Sequence, residues 1–513
     1  MSAVTRLSIL LCLSVAIFLS ASVPILDEES YLAITREFNP LLPYHWWRPW
    51  PPWYGGSEPD AFVYAHPPLF LEWVAFWQRF TTELAQVRWL AGAPLAALLG
   101  WSAGRLIDGV SRRPVLGLFC WLGTPIVVLG VQRGLMPDLM VAALSTTAVM
   151  GWREKEDWRF AILGGAALGL AGLTKYPALV LVPVFVVHGW RTGGLRTSIV
   201  FWIAAAIPWF SAELWLAMMY GRFHLWEVLT RASEIGRGTG EGRALGMLVR
   251  LPLGIGVLAL LVKGWRHLWL PAFVVAACVS LWAWSDDLSQ SQRLILMGCA
   301  TLGAVQLVLA SFCLMRAWQR PQENADRLLM ALWALAVLGT VWGVHNFAAP
   351  RYMLTAMLPL AILIVMEVGD QPRGRTLLWV GGSVQLCMAL LLTVTEHRFF
   401  EAGSQLARAA VIQFQPTAFT GEWSFRQRMN DAGVDFYTGG GKSGDVVVAP
   451  VHSSPGELPA HWVEVGRMAA EDGFPLRVVQ DGLQVGLYAE TLGALPLGWS
   501  TKPVEEVVAW QIP

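Results

Sequence analysis

Residues 152–196 read WREKEDWRFAILGGAALGLAGLTKYPALVLVPVFVVHGWRTGGLR, two apolar runs between basic flanks, with Lys175 alone at their junction. A membrane-spanning helix needs about 20 mostly apolar residues, and the runs near 159–173 and 176–190 approach that length. Arg and Lys gather in short loops on the cytoplasmic side of a membrane. The flanks "WREKEDWR" and "WRTGGLR" therefore read as inside loops, and "LTKYP" as the outside turn of a helical hairpin through the bilayer.

The same alternation extends in both directions. Further apolar runs lie near 7–25, 88–106, 114–131, 138–152, 197–214, 245–262, 268–284, 294–315, 328–345, 352–368 and 376–394, which makes roughly thirteen spans in all. Inside loops then read "GRLIDGVSRRP", "KGWRH", "RAWQRPQENADR" and "DQPRGR". The outside segments are the long stretch 26–87, "VQRGLMPD", "YGRFHLWEVLTRASEIGRGTGEGR", "SDDLSQSQR" and "HNFAAPRY". This places the N-terminus in the cytoplasm. "LDEESY" follows the first run directly and reads as a loop held by an uncleaved helix rather than the end of a cleaved signal peptide.

Composition agrees with a membrane protein. Of 513 residues, 55% are hydrophobic and 14% charged, with zero net charge, so bulk charge gives no argument for nucleic acid. Many of the 28 tryptophans cluster at the ends of apolar runs, as an interfacial belt would. All six cysteines (Cys12, Cys120, Cys278, Cys299, Cys313 and Cys387) fall within apolar runs, so neither a disulfide framework nor a thiolate metal site is expected. Hydropathy falls after residue 395, and 396–513 reads as a small α+β domain on the outer, periplasmic side. "GDVVVAP" has the pattern of a strand, and "LRVVQDGLQVGLYAE" that of a hairpin turning at Asp481-Gly482.

Several outside residues carry chemistry. Asp27 and Glu28 stand at the mouth of the first span, where a carboxylate either has a task or marks the water boundary. "AHPPLFLEWVAFWQRF" reads as an amphipathic helix opened by Pro67 and Pro68, with Leu69, Trp73, Phe76 and Trp77 on its apolar side. Asp138 in "MPD" suits a helix N-cap. Lys175 and Arg351 would reach lipid headgroups by snorkelling, or would bind phosphate. Asp286 and Asp287 are an acidic pair suited to a divalent cation, and a solvated loop accounts for them equally well. Trp46, Trp47, Trp50 and Trp53 suit sugar faces, or more simply interfacial anchoring.

Taken in order, the Asp-Glu pair after the first helix, the His-Pro-Pro-Leu segment, "RGLMPDLMVAAL", "AGLTKYPALVLVPV" and "PRYMLTAMLPLAIL" resemble the GT-C glycosyltransferases. The nearest branch is that of the bacterial protein mannosyltransferases and lipid A aminoarabinose transferases, and the resemblance covers residues 1–395. It implies a GT-C fold in the bacterial inner membrane. It also implies transfer of a sugar from a polyprenyl-phosphate donor to a lipid, glycan or protein acceptor on the periplasmic face. Asp27 would be the general base, with Glu28 a helper or a surface charge, and Asp138 would be a second acid organising the site. Arg351 and Lys175 would face the departing phosphate, because fixed cations stabilise charge that grows on a leaving group. His66, Tyr64 and Tyr352 are candidate substrate contacts, and His66 reads equally as a plain surface histidine. Members of the superfamily differ in metal use, so a divalent cation is left open.

Two motifs mislead. "TGGGKSGD" imitates the end of a phosphate-binding loop, but Phe436 stands where that loop needs its first glycine. "GRGTGEGR" lacks a preceding strand and reads as a flexible outside loop, or a lid. A flippase for such lipids would need charged spans, broken helices and an internal repeat, none of which the sequence displays clearly. An export component would use the tail as its working part, and an oligosaccharide ligase or polymerase would carry its large outside loop late in the chain, whereas here that loop comes first.

Overall fold

The computed structural model describes residues 1–20, 23–36, 67–195, 198–231, 240–255, 272–274, 276–277, 288–345, 347–370, 372–454, 458–471 and 473–513. Within them the first half folds as α1 (Ala3–Phe18), α2 (Glu28–Arg36), α3 (Leu69–Gln78), α4 (Leu84–Val110), α5 (Pro114–Leu122), α6 (Pro125–Gln132), α7 (Pro137–Arg153), α8 (Trp158–Thr174) and α9 (Leu181–Thr192). There follow α10 (Ile199–Tyr220), α11 (His224–Arg231), α12 (Gly240–Arg250), α13 (Gln290–Gln319), α14 (Ala325–Gly343), α15 (Leu354–Val368), α16 (Pro372–Phe414) and α17 (Trp423–Asp431). Six helical segments among the described residues are long and apolar enough to cross a membrane, or seven if α5 and α6 form one span. The chain is a multi-pass membrane protein. The expected thirteen spans are not all reproduced as full-length helices, since α1 and α8 are apolar but short, and residues 256–271 and 278–287 lie outside the described residues.

The run near 114–131, expected as one span, is a pair of helices bent by 69°. The break follows from Gly123-Thr124-Pro125. Proline has no N–H to continue the helix and clashes with the preceding turn, while the Thr124 hydroxyl accepts from the Val127 N–H at 3.3 Å and starts α6 afresh. Small residues bring neighbouring helices together. A Cβ on Gly151 of α7 would lie 2.4 Å from the Cα of Gly164 in α8, so those two helices touch backbone to backbone.

In α3 the buried face is Phe70, Leu71, Val74 and Ala75. Of the side expected to be apolar, Leu69, Trp73 and Trp77 are half-buried and Phe76 is exposed. The helix is apolar nearly all round, so composition left two candidate faces. Packing against Tyr31, whose ring meets Phe70 edge-on at 5.2 Å, selects the Phe70 side.

The hydropathy fall near residue 395 marks no helix end. α16 runs unbroken for 43 residues, about 65 Å at 1.5 Å per residue, twice a bilayer's hydrocarbon thickness of about 30 Å. Its far end carries a five-stranded sheet. There β1 (Ala418–Phe419) pairs in parallel with β2 (Asp435–Phe436) and β3 (Val446–Pro450). β4 (Val463–Ala470) follows, then β5 (Leu476–Arg477), β6 (Val479–Gln480), β7 (Val485–Gly486), β8 (Gly498–Trp499) and β9 (Glu505–Gln511). β9 lies antiparallel between β3 and β4. β6 and β7 form the expected hairpin, through a turn at Asp481–Leu483.

The tail has two attachments. Phe419, Phe425, Val448 and Val507 build a core of their own with Leu406, Ala407 and Ala410 of α16. Val479, Val485, Leu487 and Tyr488 instead join the core of the membrane helices. Arg133 pairs there with Glu396 of α16, with its guanidinium 5.4 Å from the centre of the Tyr488 ring. Arg250 donates to the Gly486 and Gly493 carbonyls at 2.5 and 2.8 Å.

Candidate active site

Four separate segments meet at one place. The chain enters it through Leu26, buried with φ +54, a left-handed conformation that costs a leucine roughly 1–2 kcal/mol. Asp27 follows, and its carbonyl accepts from the Tyr31 N–H at 3.1 Å to start α2. Glu28 is fully buried rather than a surface charge. Its carboxylate accepts from Arg88 Nε at 3.2 Å and Nη2 at 2.5 Å, from the Ile25 N–H at 2.9 Å and from the Leu135 N–H at 3.4 Å. One side chain thus ties the first loop to the head of α4 and to the loop preceding α7. Gly134 permits that approach, since a Cβ on it would lie 2.8 Å from the Arg88 carbonyl oxygen.

The loop after Leu135 leads into α7, where Asp138 occupies the first turn. It forms no N-cap, a position taken by Met136. Its Oδ1 accepts from Lys175 Nζ at 2.8 Å, and its Oδ2 lies 3.9 Å from Arg351 Nε. Arg351 stands in a short 3-10 turn, Pro350–Met353, ahead of α15. Its Nη2 is 3.5 Å from Asp27 Oδ2 and 3.5 Å from the Tyr352 hydroxyl, and its Nε makes no hydrogen bond among the described residues. These contacts are long for a guanidinium, which retains donor capacity for an anion.

Tyr352 sits between the cations. Lys175 Nζ and the Arg351 guanidinium lie 5.1 and 5.2 Å from its ring centre, within cation–π range. His345 stacks on it at 4.0 Å with the planes 12° apart. Asp138, Lys175, His345, Arg351, Tyr352 and Trp333 line one cavity. Asp27 is not part of that lining; it stands at the rim, joined to the cavity through Arg351, with about a quarter of its side chain exposed.

His345 was not singled out in the sequence, and its only signal was a place six residues before Arg351. Burial, with Lys175 and Arg351 nearby, pushes its imidazole down to about 3 against the opposing pull of Asp138, so it is neutral at physiological pH. In the unfolded chain a histidine takes up its proton near 6.5. Stability from this group is therefore complete above that value and is lost as pH falls toward 3. His345→Phe keeps an aromatic stack on Tyr352 and removes the titration. The expected result is a smaller drop in Tm between pH 6.5 and 4 than in the parent, measured by thermal unfolding in detergent; an unchanged drop would assign the acid loss to other groups.

His66, Tyr64, Asp286, Asp287, Trp46, Trp47, Trp50 and Trp53 lie outside the described residues. Among the described residues no three His, Cys, Asp or Glu side chains converge as a metal site would require. The buried partners Arg88, Arg133 and Glu396 were not read from the sequence either.

No protein-family profile matches this chain, and no curated protein does. Several solved structures do. One is ArnT from Cupriavidus metallidurans bound to undecaprenyl phosphate, at 14% identity and TM-score 0.45, over 80% of this chain and 72% of that one. The match is loose. The chain also resembles the Archaeoglobus fulgidus oligosaccharyltransferase tethered to an acceptor peptide, at 10% identity and TM-score 0.42, spanning 79% of this chain and 57% of that one. A third likeness is to the arabinosyltransferase EmbB from Mycobacterium smegmatis, at 14% identity and TM-score 0.35, with 94% of this chain and 48% of that one covered.

Proposed function

We propose that this chain is a GT-C glycosyltransferase of the bacterial inner membrane, which moves a sugar from a polyprenyl-phosphate donor to an acceptor on the periplasmic face by inverting single displacement. One observation carries the reading: a partly exposed carboxylate, Asp27, stands 3.5 Å from Arg351, which shares Asp138 with Lys175. In the reaction Asp27 takes the proton of an acceptor hydroxyl as its oxygen attacks the anomeric carbon. The bond from that carbon to the phosphate oxygen breaks, and its electron pair leaves with the polyprenyl phosphate. Arg351 and Lys175 meet the charge that collects there. Asp138 holds both cations apart and in place until the phosphate arrives.

The surroundings suit an amphiphilic donor. The turn Tyr176–Val180 faces that cavity with Pro177, Ala178 and Val180, while Leu179 faces an apolar groove lined also by Leu168, Val182, Trp202, Trp209 and Phe210. A phosphate head and a prenyl chain need such neighbouring spaces. In the full topology the chain has about thirteen spans, a cytoplasmic N-terminus and a periplasmic C-terminal domain. A transporter of the same lipids would also use bent helices, which α5 and α6 supply, but it would have no use for a carboxylate base beside the phosphate cations.

Arg351→Ala tests the reading in membranes supplied with labelled polyprenyl-phosphate sugars. Hydrogen bonds to charged groups contribute about 1.5–3 kcal/mol, so KM for the donor is expected to rise roughly ten- to a hundredfold. Wild-type transfer at limiting donor would sink the assignment.

A further inference from the structure

Next to the proposed phosphate site, and outside it, three ionisable side chains close on one another. The Tyr176 hydroxyl donates to Glu213 Oε1 at 2.5 Å and lies 2.6 Å from His224 Nδ1. A hydroxyl has one proton, so His224 supplies the hydrogen of the second bond through an Nδ1–H. Glu213 is buried near the C-terminal end of α10, a membrane-crossing helix, and its Oε2 accepts from the Leu225 N–H at 3.3 Å. His224 is fully buried and opens α11, whose Trp226 and Leu229 are exposed on the opposite side. A carboxylate is expensive at such depth unless it has a function, and the proposed transfer does not use this one.

The backbone gives the network its meaning. Lys175 and Tyr176 are consecutive: Lys175 is the one-residue break after α8, and Tyr176 opens the turn Tyr176–Val180. Lys175 is extended, with φ −153 and ψ 126, so the two side chains leave in different directions. One reaches Asp138 and the Tyr352 ring, and the other reaches Glu213 and His224. The break is thus anchored to α7 on one side and to the end of α10 on the other. A lysine on a flexible four-carbon stem is a poor point charge unless its Cα is fixed.

We propose that Tyr176 is a positioning residue: held between Glu213 and His224, it fixes the backbone from which Lys175 reaches the phosphate of a lipid-linked ligand. The inference rests on the phosphate-binding reading of Lys175. It also makes α11, with its exposed apolar face, part of the mounting of the phosphate site.

The test uses the full chain in nanodiscs and undecaprenyl phosphate as the probe, with Kd measured for the parent, Tyr176→Phe, Lys175→Met and the double variant, and Tm followed in parallel. Tyr176→Phe is expected to weaken binding about five- to tenfold when Lys175 is present and less than twofold when it is Met, because contacts that act through one another are not additive. Equal losses in both backgrounds would show that Tyr176 acts independently of Lys175 and would overturn the inference. Tight binding that Lys175→Met leaves unchanged would instead remove the phosphate role of Lys175 itself. Removing the hydroxyl leaves the Glu213 carboxylate short of a donor, which is destabilising. If Tyr176→Phe fails to accumulate, Tyr176→Phe with Glu213→Gln repeats the cycle without the buried charge, with the same two outcomes.

Discussion

Asp27→Asn is expected to lower sugar transfer by roughly two to four powers of ten, the usual contribution of a positioned general base, while undecaprenyl phosphate continues to bind. Asparagine matches aspartate in shape but cannot take a proton from the acceptor hydroxyl. The backbone at position 27 is held by its neighbours, through the Glu28 carboxylate on the Ile25 N–H and the Tyr31 N–H on the Asp27 carbonyl, so the substitution leaves the local fold standing. Arg351 loses one anionic neighbour at 3.5 Å and keeps Asp138 at 3.9 Å, which leaves its guanidinium freer for phosphate. Kd for undecaprenyl phosphate should therefore stay level or tighten as the rate collapses. Transfer assays on purified protein, with Kd measured on the same preparation, separate the two. Full transfer with normal folding would take the base role from Asp27.

That prediction concerns a residue visible in the sequence, and the reason it was visible is topological. Asp27, Asp138, Lys175 and Arg351 lie in four loops that charge bias assigns to one side of a membrane, and a polar residue at the outer end of an apolar run stands out. In the structure Arg351 lies within 4 Å of both acids and Asp138 pairs with Lys175. What stayed hidden were the partners. Arg88 falls at the first position of the 88–106 run, yet it closes on Glu28, 60 residues earlier. Glu396 falls just past the hydropathy drop at 395, yet it pairs with Arg133 across 263 residues. A one-dimensional profile records that a charge interrupts an apolar run; whether the charge meets water or a buried counter-charge depends on which helices pack together. The same limit explains α3, whose apolar residues surround the helix, and α16, where loss of hydropathy marked departure from the apolar layer and not the end of a helix.

The Arg88–Glu28 pair yields the largest stability effect, and it separates holding the fold from holding the site. Both side chains are essentially without solvent, at 1% and 0% exposure. Removing one member leaves the other charged and dry, which typically costs 3–5 kcal/mol. Glu28→Gln and Arg88→Met are each expected to lower stability by about that amount, seen as reduced Tm and reduced yield of folded protein. Replacing both with apolar residues, as Glu28→Leu with Arg88→Met, removes the stranded charge and should restore most of the loss, because apolar substitutes for a buried pair are often neutral or better. Activity should not return with it. Glu28 also accepts from the Ile25 and Leu135 N–H groups, on either side of the joint that sets the left-handed Leu26 and the approach of the Asp138 loop. Leucine offers neither acceptor. The double variant is therefore expected to melt near the parent while transferring sugar at least about tenfold more slowly, since small displacements of catalytic groups are costly. Parallel recovery of Tm and transfer would mean that Glu28 supports the fold alone and that Asp27 finds its geometry without it.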